Sequence, residues 1–261
     1  MNRRIRQRGF ALVAVLWILT LVSALAAATL AVTTTDGFLV RNHVDLAQAR
    51  AAARAGITMA AARLLSETDP PPRDGAPWRW TWEGWTMEIA VQDVGGLVDL
   101  NGAEPDLLAE TLQAIAPDMD ANRLAAQIVD FRDADDTPEP GGAERRAYAE
   151  QGRPGPLNRP FVTVDELAQV LDMTPGRAAD LSEWFTVAGG HNRVDPAVAA
   201  PGLRGLVDAP LGPVAEPGGG VFRITARAQA PRRAGAGVVA EIAVQGGTVR
   251  VLSWRRAERG L

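Results

Sequence analysis

The longest hydrophobic segment of the chain lies near its amino terminus, between Arg8 and Val32. No charged side chain occurs between Arg8 and Asp36, and a helix of about 20 apolar residues is long enough to cross a bilayer. The pattern therefore predicts a transmembrane helix at about residues 10–32. Arginines at positions 3, 4, 6 and 8 precede it, and such a basic flank favours a cytoplasmic amino terminus. We expect the rest of the chain on the other side of an inner membrane.

A helical pattern continues beyond the apolar segment. Alanine, leucine and arginine, which favour helices, dominate residues 38–65. Apolar side chains recur there at steps of three or four and form one stripe, at Leu46, Ala49, Ala53, Ile57, Ala60 and Leu64. Three prolines follow Asp69, and proline cannot continue a helix. We therefore predict one helix over residues 10–68, whose stripe contacts either the protein's own sheet or a partner.

Strand patterns occur in two separate parts of the chain. Tryptophans at positions 78, 80 and 82 alternate with polar residues, and Glu83-Gly84 is typical of a tight turn into a second strand at 85–94. Near the carboxyl terminus, Gly246-Gly247 is typical of a two-residue hairpin turn. Three strands are predicted around it, at residues 221–230, 238–245 and 248–256. Residues 76–97 and 207–256 are thus expected to form one small antiparallel sheet.

The intervening residues, 98–206, have a helical pattern interrupted by proline and glycine. Helices are predicted at residues 104–116, 120–133, 144–151, 163–171 and 174–185. The order helix, strands, helices, strands indicates an α+β protein. A large, all-helical, SAM-like domain is then inserted into a sheet that packs on the long helix.

Composition and motifs argue against several function classes. The chain has 261 residues, no cysteine, two histidines and a net charge of −4. Two turns resemble those of helix-hairpin-helix modules, but they lack the consecutive glycine-rich amides that hold a phosphate, so nucleic acid is not an expected partner. The sequence contains no nucleophile elbow, zinc helix, Walker motif or dinucleotide glycine motif. An enzyme is therefore not expected.

A strongly acidic segment is the main candidate for a binding site. Residues 93–144 contain thirteen acidic side chains and two arginines, a net charge of −11. The carboxylates are densest in a Pro- and Gly-rich loop at residues 130–144. Crowded carboxylates repel one another unless a cation lies between them, and calcium prefers six to eight oxygen ligands. The chemistry alone leaves a calcium site and a solvated acidic loop equally open.

The amino terminus adds a processing motif. Gly9 and Phe10 separate the basic leader from the apolar segment, and this arrangement resembles the cleavage site of type IV prepilin-like proteins. That resemblance implies cleavage after Gly9 by a prepilin peptidase, removal of residues 1–9 as a leader, and methylation of Phe10. A secretory signal cut near Ala26-Ala27-Ala28 is the alternative, although the apolar run is longer than a usual signal peptide core.

Taken together, these motifs resemble the K-type minor pseudopilins of type II secretion systems. The resemblance covers essentially the whole chain. It rests on the prepilin site at residues 8–12, the helix segments 46–50 and 55–57, Val98-Asp99-Leu100-Asn101, the acidic residues 130–135, Gly142-Ala143-Glu144, and residues 158–161 and 164–167. Most pilins have glutamate as the fifth residue of the mature chain. This chain has Ala14 there, a departure for which the K-type subunit is known.

The resemblance implies a structural role in protein export. Such a subunit would initiate or cap a pseudopilus in a Gram-negative bacterium, so that folded periplasmic proteins are exported across the outer membrane. Its implied partners are the I-type and J-type minor pseudopilins, other pseudopilins, the inner-membrane assembly platform and prepilin peptidase. It would cross the inner membrane once, with its carboxyl-terminal part in the periplasm.

The family's helical domain also binds calcium, so the resemblance implies one or two calcium ions at the acidic loop. The expected ligands are Asp133, Asp135 and Glu144, with Asp130 and Asp136 as further candidates. Two other functions stay open. One is a minor pilin of a type IV pilus-like machine, and the other is a signal-anchored periplasmic calcium-binding module without a role in a filament.

Overall fold

One long helix, α1 (Arg6–Leu64), forms the amino-terminal part of the molecule. The computed structural model describes residues 6–205, 220–231 and 233–257, without the side chains of residues 6–10 and 27–40. The helix ends earlier than predicted, because the amides of Leu65 and Ser66 turn back onto carbonyls three residues before them. Arg63 also lies 3.0 Å from the carboxylate of Asp69 and holds the chain in that turn.

In the described part of the chain, seven strands and four shorter helices follow α1. The strands are β1 (Trp78–Trp82), β2 (Trp85–Asp93), β3 (Val98–Asp99), β4 (Phe185–Thr186), β5 (Val221–Gln229), β6 (Ala236–Gln245) and β7 (Thr248–Arg256). The helices are α2 (Pro105–Ile115), α3 (Ala121–Arg132), α4 (Arg145–Glu150) and α5 (Pro175–Leu181). Among the described residues, 3₁₀ helices include Val94–Gly96 and Val164–Gln169. The α+β class is thus confirmed.

Five of the strands form one antiparallel sheet in the order β1-β2-β5-β6-β7. Its two tight hairpins have the turns that the sequence predicts. Glu83 and Gly84 have φ values of 48° and 77°, and Gly246 and Gly247 have 56° and 74°. Two successive positive φ angles match the right-handed twist of hairpin strands. The turns therefore set the registers in which Trp82 pairs with Trp85 and Gln245 pairs with Thr248.

The second half of α1 packs on one face of this sheet. Small residues on the helix stripe allow a close approach. Gly56, beside the stripe, lies so near the sheet that an added Cβ would be only 3.2 Å from the Ile89 side chain. The predicted stripe faces the protein's own sheet, since all of its members except Leu46 are buried in this core. The buried sheet residues include Met87, Ile89, Val91, Ile224, Ala226, Ala228, Ala240 and Ile242.

We call residues 94–205, which lie between β2 and β5 in the sequence, the helical region. This region has a hydrophobic core of its own. Its helices α2 and α3 pack together around fully buried Leu108, Leu112, Leu124 and Ile128. The predicted helix at 163–171 is a shorter 3₁₀ helix. The predicted helix at 174–185 ends at Leu181, because residues 185–186 instead form β4, which pairs in parallel with β3.

The helical region leaves and rejoins the sheet at neighbouring positions. Asp93, at the end of β2, is the register partner of Phe222 on β5. Near this junction, the amide of Asp195 donates to the carbonyl of Gly95, at 2.7 Å. Gly96 permits a close backbone approach, since a Cβ there would lie 1.9 Å from the carbonyl oxygen of Val198. The returning chain is therefore fixed tightly against the exit of β2.

The amino-terminal part of α1 presents apolar side chains to the outside. Leu12, Leu16, Trp17, Leu21 and Leu25 are each more than half exposed. Within the described part of the chain, we find no helix that is both long enough and apolar enough to cross a membrane. The predicted span of about 10–32 extends into positions whose side chains are not described.

Candidate metal centre

The loop between α3 and α4 brings three of the predicted ligands together. Asp133, Asp135 and Glu144 each offer a carboxylate oxygen, and these oxygens lie within 4.8 Å of one another. Asp133 is the C-cap residue of α3, and Glu144 is the N-cap residue of α4. The negative end of the α3 dipole points toward Asp133 and disfavours its charge. Helix α3 therefore gives Asp133 no electrostatic compensation.

Glu144 is the most unusual member of the cluster. The residue is only 7% exposed, and neither carboxylate oxygen has a hydrogen-bond partner. Burial raises the pKa of Glu144 to about 7, and the neighbouring aspartates add to this effect. Burial and the charges of Asp135 and Asp130 also raise the pKa of Asp133, whose Oδ1 is likewise buried without a partner. Buried carboxylates of this kind need a cation or a donor to stay ionised.

Asp130 has a different position from the three clustered carboxylates. It is fully buried, and its Oδ1 and Oδ2 accept hydrogen bonds from the amides of Glu139 and Ala143, at 3.0 and 2.6 Å. Gly142 makes this approach possible, because a Cβ there would lie 2.0 Å from Asp130 Oδ2. Asp130 therefore folds the loop into a shape that carries Glu144 toward Asp133. Burial raises the pKa of Asp130, and the two amides oppose that rise.

Asp136 lies outside the cluster on the loop surface. Its carboxylate is 3.4 Å from Arg145 and 3.2 Å from the side-chain amide nitrogen of Asn158. The structure therefore gives Asp136 partners other than the three clustered carboxylates.

Asn158 is a residue at this site to which the sequence reasoning gave no metal-binding role. Its amide nitrogen donates to the backbone carbonyl of Asp135 at 2.7 Å, and its Oδ1 is buried without a partner. Asn158 has a φ of 47°, a left-handed conformation that asparagine adopts more readily than most residues. The only signal in the sequence was its place in the Asn158-Arg159-Pro160-Phe161 motif, far along the chain from the acidic loop.

The donor set at this loop fits a hard divalent cation. The clustered groups are three carboxylates. The unpartnered amide oxygen of Asn158 belongs to a residue that is hydrogen-bonded to the same loop. Calcium accepts such ligands in flexible geometry, whereas magnesium requires a nearly ideal octahedron. A cation would also offset the burial and the carboxylate repulsion that raise the pKa of Glu144. The side chains present are therefore suited to calcium.

The predicted processing site lies at the start of α1. Gly9 and Phe10 belong to α1, but their side chains lie outside the described residues, and so does the start of the predicted leader at residues 1–5. Residues 207–219 of the predicted sheet segment also lie outside the described part of the chain.

Comparisons with known proteins agree with this architecture. Residues 93–190 match the family model for type II secretion system (T2SS), protein K. A chain in the crystal structure of the GspK-GspI-GspJ complex from enterotoxigenic Escherichia coli has a similar fold, with a TM-score of 0.58 and 15% identity. That match covers 84% of this chain and 99% of the other chain. A search of curated proteins found no match.

The chain resembles the minor pseudopilins of type II secretion systems. Within that class, the family match in the helical region points to protein K. The resemblance to K-type pseudopilins that the sequence indicates is therefore confirmed.

Proposed function

We propose that the chain is the minor pseudopilin that initiates or caps the tip of a type II secretion pseudopilus. The observation that carries this proposal is the family match of residues 93–190 to protein K, in a region that joins a sheet packed on a 59-residue helix. The proposed role is structural and requires no catalytic residue. The subunit would support export of folded periplasmic proteins across the outer membrane.

We also propose that the chain consists of a leader, a membrane anchor and a periplasmic part with an inserted domain. The leader would be residues 1–9, and the helix after it would anchor the protein in the inner membrane. The exposed apolar side chains between Leu12 and Leu25 support this anchor. The helical region would be a periplasmic domain inserted between β2 and β5, since these two strands pair directly.

The proposed partners follow from the role at the tip. The similar chain belongs to a complex of GspK, GspI and GspJ, so we propose I-type and J-type pseudopilins as neighbours of this chain. Other pseudopilins, the inner-membrane assembly platform and prepilin peptidase complete the set. Nucleic acid is not part of it.

We also propose that the acidic loop holds calcium through Asp133, Asp135 and Glu144, with Asn158 as a neutral ligand. The unpartnered, buried carboxylate of Glu144 supports this assignment. Bound calcium would supply positive charge at the end of α3 and join the start of α4 to it. Its function would be structural, holding the loop and the helical region in one conformation.

The mass of the mature amino terminus tests the proposed role. The full chain is co-expressed with a prepilin peptidase, with Gly9→Leu as the blocked control. A chain that begins at Phe10, with or without one methyl group, supports the pseudopilin function. A chain that keeps Met1, or is cut near Ala28, would overturn it in favour of an anchored or secreted calcium-binding module. Co-purification with the I-type and J-type subunits separates the secretion machine from a pilus.

A further inference from the structure

Strand β7 forms one edge of the five-stranded sheet. In the described part of the chain it pairs with β6 and has no second neighbour. The strand is nine residues long, and backbone donors and acceptors face outward on both sides of a bulge at Leu252. Such an edge is a template for pairing with another chain.

The side of β7 that faces the same way as α1 is apolar and uncovered. Val251 and Trp254 pair with Ile242 and Ala240, two core residues that face α1. Their side chains are nevertheless 44% and 48% exposed, and Leu252 between them is 40% exposed. Helix α1 packs mainly on β2, β5 and β6. The helix therefore leaves these apolar side chains of β7 uncovered.

The charge on β7 has one sign. Residues 248–256 contain three arginines and no acidic side chain. Arg255 has a carboxylate neighbour, Asp165 in the helical region, at 3.8 Å. Among the described residues, Arg250 and Arg256 have no carboxylate within salt-bridge distance. The two arginines thus lie toward opposite ends of the apolar segment, Arg256 on the face of Val251 and Trp254 and Arg250 on the other face.

We propose that the free edge of β7 docks an extended, acidic segment of a neighbouring minor pseudopilin, which adds a strand to the sheet. The proposal rests on the pseudopilin function proposed above. Arg250 and Arg256 lie about 20 Å apart along an extended strand, so the docked segment needs carboxylates near both ends. Apolar side chains between them would cover Val251 and Trp254. Main-chain pairing supplies affinity in this mode, and the side chains supply specificity.

Charge reversal is the first test of this surface. The full chain, processed and in detergent, is titrated with the I-type and J-type pseudopilins of the same bacterium. The Arg250→Glu/Arg256→Glu variant is expected to bind at least one of them ten times more weakly or worse. Arg193→Glu is the matched control, because Arg193 is an exposed arginine of the helical region. Thermal unfolding checks that both variants fold.

Site-specific crosslinking is the second test, and the absence of cysteine from the chain makes it selective. A photo-crosslinker is attached to Val251→Cys, and to Thr81→Cys on the opposite sheet edge as a control. The proposal expects crosslinks from position 251, but not from position 81, to the I-type or J-type subunit.

The outcomes distinguish a failure of the docking surface from a failure of the proposed pseudopilin function. A wild-type complex that forms normally, tolerates both charge reversals and gives no crosslink at position 251 overturns the docking surface only. Crosslinks from position 251 to a second copy, a secreted protein or lipid also overturn it. A wild-type chain that binds neither subunit overturns the docking surface and the proposed partners together.

Discussion

Arg223 on β5 and Glu241 on β6 form a buried ion pair, with Arg223 Nη2 and Glu241 Oε1 2.9 Å apart. The same guanidinium donates to the backbone carbonyls of Ser182, Glu183 and Phe185 in the helical region, the last at 2.6 Å. One arginine thus joins the sheet to the chain segment that follows α5. Because Glu241 supplies the opposite charge, Arg223 can stay ionised although it is almost completely buried.

Removing one member of this pair should destabilise the protein strongly. We expect Glu241→Gln to lower the free energy of unfolding by about 3 kcal/mol, because it leaves the guanidinium buried without a counter-charge. Urea denaturation of the full chain in detergent measures the change. Arg79→Ala is the control: this arginine lies 4.0 Å from Glu88 and is mostly exposed, so its loss should cost less than about 1 kcal/mol. Equal losses for the two variants would contradict the role of the buried pair.

The metal-free protein should become less stable as the pH rises from about 4.5 to 7. The pKa of Glu144 is raised to about 7 in the folded chain, so the folded state binds more protons than the unfolded state in that window. Stability is then lost with rising pH, by up to about 3 kcal/mol. Denaturation in the presence of a chelator, at steps from pH 4.5 to 8, measures this slope.

Two comparisons test the origin of that slope. Glu144→Gln removes the titrating group and should flatten the profile. At the proposed site, calcium should reverse the trend, because it would bind the deprotonated carboxylates with an affinity that rises with pH. A slope that persists unchanged in Glu144→Gln would show that other groups cause it.

Gly142→Ala should disrupt the acidic loop. The new Cβ would lie 2.0 Å from Asp130 Oδ2, a carboxylate that two backbone amides hold in place. We expect a loss of stability of about 2 kcal/mol and weaker calcium binding, measured by calorimetry. Gly176→Ala is the matched control, because a Cβ at Gly176 meets no atom within 4 Å. Undiminished calcium binding by Gly142→Ala would show that the loop can form without this close approach.

Asn158→Gly should weaken calcium binding without disturbing the backbone. Glycine adopts the left-handed conformation that Asn158 has here, so only the side-chain amide is lost. Groups that ligate or orient metal ligands typically contribute about ten- to a hundredfold in affinity, and a loss in that range is expected by calorimetry. Asn192→Gly, in an exposed loop of the helical region, serves as the control and should bind calcium as the wild type does.

The sequence predicts the regular elements well where a long pattern exists. The predicted bounds of β7 are those observed, because the Gly246-Gly247 turn fixes where the strand begins. The parallel pairing of β3 with β4 was missed, since two-residue strands have no periodicity and their partners lie far apart in the chain. The early end of α1 depends on hydrogen bonds around Arg63 that the pattern does not encode.

The sequence predicts which loop forms the candidate site, but not how its side chains are arranged. Asp133, Asp135 and Glu144 lie in one acidic loop. Their crowding alone leaves a cation site and a solvated loop equally open, and the resemblance to K-type pseudopilins implies calcium. Which acids face one another depends on contacts that only the folded loop provides, above all the two amides bound to Asp130. The role of Asn158 depends on tertiary structure in the same way.

For the role at a filament tip proposed above, the position of Arg223 has a mechanical consequence. A push along α1 reaches the sheet through the apolar core that they share. From β5, the guanidinium passes the load directly into the carbonyls at residues 182–185. The helical region is thereby braced at a second point besides its covalent connections, so it would transmit compression without swinging about the end of β2.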